Sequence, residues 1–179
     1  MAETPAAQIW TGRLTYLGLA AVILFAQLIP LDEVPSRWAG PDVLLVLTLV
    51  FLVRRPDFVP FLSIFAVFLL ADLLLQRPPG LWSLLALLGS ENLKARGRSL
   101  RDANFVAEWI TVGLIIIAIT FAYRIVLALV LIEVPGLTLS LSELAATILA
   151  YPVVVAVTHF LMGVRKAAAG ELDALGKRF

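Results

Sequence analysis

The stretch Pro41–Gly80, PDVLLVLTLVFLVRRPDFVPFLSIFAVFLLADLLLQRPPG, consists of two apolar runs joined by the basic elbow Arg54-Arg55-Pro56-Asp57. Outside the elbow, Asp42 at the start of the first run and Asp72 inside the second are its only acids before Gln76. A water-soluble domain rarely buries so much hydrocarbon with so little polar relief, whereas a lipid bilayer is the natural solvent for it.

The rest of the chain agrees with that stretch. Of its 179 residues 61% are hydrophobic and 15% charged, against about 45–50% and about 25% in soluble domains. Mean hydropathy is +0.97. At roughly 20 residues per span with short loops, this length suits about six helices in one domain. The expected fold is therefore an all-α membrane protein, a six-transmembrane-helix bundle. The absence of cysteine excludes disulfides and thiol chemistry, and a single histidine, His159, excludes a multi-histidine metal site within one chain.

The apolar runs place spans at about 14–30, 41–53, 58–75, 80–93, 106–131 and 143–162, with a charged, surface-lying tail over 164–179. Residues 1–12 read as a short interfacial tail. The first run follows Arg13 but lacks a small-x-small cleavage site before Leu28-Ile29-Pro30-Leu31-Asp32-Glu33, so it reads as a retained span. The second is short for a hydrocarbon core of about 30 Å. Leu137–Ser142 reads as a loop with Ser140 or Ser142 capping the last helix, and Pro152 as a kink within it.

Loop charges set the orientation. With the N-terminus inside, the inner side holds Arg13, Arg54, Arg55, Lys94, Arg96, Arg98, Arg101, Arg165, Lys166, Lys177 and Arg178, and the outer side only Arg37 and Arg77. Loops this short are those in which lysine and arginine decide topology. The expectation is six spans with both termini in the cytoplasm.

Among residues able to carry chemistry, Asp72 is foremost, because a carboxylate within a span is costly unless it is paired, protonated or facing water. It is read either as a substrate, proton or partner contact in the bundle or as a structural hydrogen bond near the outer boundary. The second weighs more, since Asp72 is a turn from its helix end. Arg124, inside the fifth span beside Tyr123, either pairs with Asp72 or snorkels to a headgroup. Glu108, Trp109 and Tyr151 read as boundary or packing positions, and His159 as interfacial. No phosphate-binding loop, nucleophile elbow, zinc-protease helix or dinucleotide glycine pattern occurs. Neither an enzyme nor a cofactor is expected, and nothing points to nucleic acid.

The central stretch resembles MreD, the small integral membrane protein family of the bacterial rod-shape system. The resemblance rests on Trp38 and Pro41-Asp42 opening the second span, Arg54-Arg55-Pro56-Asp57 with Val59-Pro60 at the elbow, Ala71-Asp72-Leu73-Leu74 ending the third, and Pro79-Gly80-Leu81 beyond it. Their order over about 45 residues carries it, and length and topology agree over the remainder. Pro78-Pro79 departs from the more glycine- and serine-rich turn usual there. The resemblance implies a non-catalytic subunit of the bacterial inner membrane. Its partners would be MreC, the actin-like MreB, the RodA glycosyltransferase and a class B penicillin-binding protein, acting in cell-shape control and lateral peptidoglycan synthesis. It also implies a fold like the substrate-binding components of energy-coupling-factor transporters, with a groove or pocket between helices. The polar landmarks Asp42, Arg54, Arg55, Asp57 and Asp72, with Arg124, are the candidate partner-contact or pocket-lining residues. Two other functions fit the same chain: a solute-binding transporter component using Asp72 and Arg124, or a protein that binds lipid or a lipid carrier through its wet boundary residues and basic loops.

Overall fold

Leu44 to Leu52 are nine consecutive buried residues. At 3.6 residues per turn such a run faces every direction, so its helix must be enclosed by protein on all sides. That helix, α2 (Val43–Arg54), is the axis of the structure. A computed structural model describes residues 5–29, 39–132 and 134–162. The other helices in it are α1 (Pro5–Leu28), α3 (Phe61–Leu74), α4 (Leu81–Ala95), the short α5 (Gly97–Asp102), α6 (Phe105–Leu129) and α7 (Leu137–Met162). A 3-10 turn over Pro56–Phe58 forms the elbow. The described residues form no strand.

The outer helices follow one another around α2 in the order α1, α3, α4, α6 and α7, with α3 packed closely on α4 and α2 against α7, α4 and α1. Each turns one stripe inward. On α1 the stripe is Gly12, Tyr16, Ala20 and Leu24; on α3 it is Ile64, Val67, Phe68, Ala71 and Asp72. These are the i, i+3, i+4 and i+7 spacings of a helix face. The opposite faces are equally apolar: Val22 and Phe25, Phe61 and Leu62, Leu114 and Ile125, Leu149 and Val153 are all exposed. Soluble monomers do not carry a continuous apolar exterior of this kind. Three helices, Ala7–Leu28 within α1, Phe105–Leu129 and Leu137–Phe160 within α7, are long and apolar enough to cross a membrane. Three shorter apolar helices, α2, α3 and α4, complete the bundle.

The one polar side chain in the middle of α2 is satisfied locally. Thr48 Oγ1 donates to Leu44 O (2.8 Å), so its 3.0 Å contact with Tyr16 must have the tyrosine hydroxyl as donor. Close approach of α1 to the elbow depends on Gly12, where an added Cβ would lie 2.5 Å from the Phe58 ring.

Several boundaries differ from those the apolar runs suggest. The helix of the first span begins at Pro5, because proline is well placed in a first turn and the following residues are good helix formers. The basic segment after the fourth run is helical through Ala95 and again over Gly97–Asp102, not a loop. Leu137–Ser142 is the start of α7, so Ser140 and Ser142 lie inside the helix and do not cap it. Pro152 is within α7 as expected. The tail over 164–179, most of the connection holding Arg37 and Trp38, and Glu133 lie outside the described residues.

Candidate functional site

The polar residues of the bundle gather at the two ends of α2. At its start, Asp42 Oδ1 accepts from Leu45 N (2.9 Å), the N-cap contact expected of an aspartate. Asp42 N donates to Thr147 Oγ1 (3.0 Å) and Ala39 N to Ser142 Oγ (3.1 Å), fastening the approach to α2 onto α7. Asp42 Oδ2 faces Arg77 Nη1 at 3.7 Å. The Arg77 guanidinium lies over the Trp82 ring, 5.3 Å from its centroid, and Trp82 meets Tyr123 edge to face at 5.0 Å. These groups, with Thr120, Arg124, Ser140 and Glu143, line a cavity of ≈190 Å³ between α2, α4, α6 and α7.

Asp72 does not line that cavity. It is fully buried, and its Oδ2 accepts from Gly80 N (3.1 Å), Ser83 N (3.1 Å) and Ser83 Oγ (2.8 Å). A carboxylate reaching back from α3 therefore caps α4 from outside it, satisfying N–H groups that a helix start leaves orphaned. The turn between them closes as a Schellman motif, with Gln76 at φ 54° and Arg77 N donating to Asp72 O (3.0 Å). Arg124 is not its partner. The guanidinium donates instead to Pro135 O (2.9 Å) and Ser140 Oγ, holding the α6–α7 connection. The pairing of Asp72 with Arg124 is thus replaced by two separate structural contacts, each nearer in sequence.

Arg54, Arg55 and Asp57 lie at the other end of α2. Arg54 Nη2 is 3.3 Å from Glu108 Oε1, which also accepts from Tyr151 OH (2.8 Å). Glu108 is fully buried and Arg54 nearly so, making this an internal ion pair tying α2 to α6 and α7. Arg55 sits over the Phe58 ring at 6.0 Å. Asp57 is exposed, and its carbonyl accepts from Arg13 Nε (3.2 Å). Of the six candidates, only Asp42 and Arg124 share the cavity.

Sequence reasoning missed Arg77, Trp82, Tyr123 and Glu143 as cavity residues and treated Glu108 and Tyr151 as packing. A signal was present for α7: Ser140, Glu143, Thr147 and Tyr151 recur every three or four residues, a polar stripe on one face once the helix is started at Leu137. Nothing comparable marks Arg77, which enters the cavity only because the Gln76 turn redirects the chain.

The site and fold together define an α-helical bundle with an apolar exterior, polar ends and three membrane-length helices. No family model, curated protein or solved structure matches this chain.

Proposed function

We propose that this chain is a non-catalytic scaffold of the MreD type in the bacterial inner membrane. In this reading it spans six times with both termini inside and binds the transmembrane part of MreC. Through that complex it links MreB to RodA and its class B penicillin-binding protein. The observation that carries the reading is the distribution of polarity: α1, α3, α4, α6 and α7 turn hydrocarbon outward around the enclosed α2, and the connections from α2 to α3, α3 to α4 and α6 to α7 are short. A protein built so has its contact area within the bilayer, where helices associate by shape and small polar contacts.

The inner side assigned by the basic residues is compatible with the packing. Arg13 touches the elbow that holds Arg54 and Arg55, and α5, next in sequence to Lys94 and Arg96, packs on α2 and α4. The 12 residues of α2 extend only about 18 Å at 1.5 Å per residue. That shortfall against about 30 Å is tolerable because α2 is enclosed by protein from Leu44 to Leu52, so the neighbouring helices and not lipid surround it. The test is detergent co-purification with MreC carrying its transmembrane segment, together with depletion in a rod-shaped host. Retained complex and loss of rod shape are expected; unchanged shape and unchanged MreC localisation on depletion refute the reading.

A further inference from the structure

Asp42, Arg77, Arg124 and Glu143 surround the ≈190 Å³ cavity at the start of α2, and their formal charges cancel. The fold uses only part of their bonding capacity. Asp42 Oδ1 caps α2, and Arg124 holds Pro135 O and a serine. The remainder is unspent. The 3.7 Å separation of Arg77 from Asp42 exceeds a hydrogen bond. Glu143 has neither a hydrogen bond nor an ion pair from its carboxylate among the described residues, although it lies within electrostatic range of both Asp42 and Arg77. Trp82, only 6% exposed, carries an indole Nε1 donor with no partner among the described residues. Buried polar groups are nearly always partnered, so the unpartnered Trp82 donor, at a cavity that Glu143 also lines, marks a place for a polar guest.

We propose that this cavity binds a small zwitterion of the amino-acid type. Its ammonium sits at Glu143 and Asp42, and its carboxylate at Arg77 and Arg124. A simple anion meets two carboxylates in the same space, and a simple cation meets two guanidiniums, so each is opposed by half of the lining. A neutral solute leaves Glu143 without a counter-charge. The small volume limits the ligand to one residue's worth of atoms, and the Trp82 and Tyr123 rings offer an apolar wall to its side chain. This inference is independent of the scaffold reading: co-purification with MreC can fail while binding succeeds, and the reverse.

The test is thermal unfolding of the purified full chain in detergent against the standard free L-amino acids and betaine, with acetate and methylammonium as single-charge controls. At a ligand concentration about a hundredfold above Kd, the midpoint rises by about 5–10 °C for at least one zwitterion. Glu143→Gln and Arg77→Gln abolish the rise, and Glu91→Gln, on the exposed side of α4, keeps it. Should either charge variant fail to purify, Trp82→Phe removes the unpartnered N–H while keeping an aromatic wall, and weakens binding about tenfold. The proposal is overturned if no zwitterion shifts the midpoint, if acetate or methylammonium shifts it equally, or if the cavity variants respond like the wild type.

Discussion

Replacing Asp72 by alanine removes the acceptor on which three donors converge. Two of them, Gly80 N and Ser83 N, are backbone groups at the start of α4 with no carbonyl a turn earlier to receive them. The third, the Ser83 hydroxyl, can rotate to another acceptor. Each orphaned N–H costs about 1–3 kcal/mol in a buried setting. Removing a buried carboxylate returns part of that cost, since the ion no longer has to be desolvated. The net loss expected is about 3 kcal/mol, which for a chain of this size lowers the unfolding midpoint by roughly 6–12 °C. Asp72→Asn keeps one acceptor oxygen and loses about 1 kcal/mol. Tryptophan fluorescence in detergent reads the transition directly, because Trp82 sits beside the cap. A double-mutant cycle separates this account from a pairing with Arg124. Asp72→Ala with Ser83→Ala shows a coupling of about 1 kcal/mol, whereas Asp72→Ala with Arg124→Gln is additive within about 0.5 kcal/mol. An Asp72→Ala variant that unfolds within about 1 kcal/mol of wild type refutes the capping role. Restoration by Asp72→Arg with Arg124→Asp of what the single changes lose refutes it equally.

Arg54→Ala and Tyr151→Phe each delete one hydrogen bond to the buried Glu108 carboxylate and cost about 1.5–3 kcal/mol; losses below about 0.5 kcal/mol for both in denaturation would refute the internal ion pair. Gly12→Ala drives a methyl into the Phe58 ring and destabilises the α1–elbow contact by about 1–3 kcal/mol, whereas in a Phe58→Ala background the same change costs under about 0.5 kcal/mol. The natural chain has no cysteine, so single cysteines report sidedness cleanly. Arg96→Cys is expected to label only from the cytoplasm, and Pro79→Cys and Gly136→Cys only from outside; labelling of Pro79→Cys and Arg96→Cys from one side would show that α4 does not cross.

Helix positions were legible because hydrocarbon length and proline breaks are local properties. The break at Pro56 and those at Pro78-Pro79 and Pro135-Gly136 all fall between helices in the structure. Starts were less legible. A helix can begin well before its apolar run when the preceding residues are uncharged and helix-compatible, as Pro5–Gly12 and the mixed Leu137–Ser142 are. The prominence of Asp72 in the apolar run was a true signal that the carboxylate faces protein, but its three donors come from beyond a left-handed turn at Gln76 that no pattern announces.

Composition and periodicity alone point to the helical character of the described residues, to their apolar exterior, and to the separation of polar residues from hydrocarbon. Each depends only on neighbours along the chain. Enclosure of α2 was not among them, since an all-apolar helix looks the same whether lipid or protein surrounds it. Which polar groups meet was also left to the packing. Arg54 finds Glu108 across 54 residues, and Asp42 finds Thr147 across 105. Such encounters depend on which faces the helices turn to one another, a property of the assembled bundle and of no single segment.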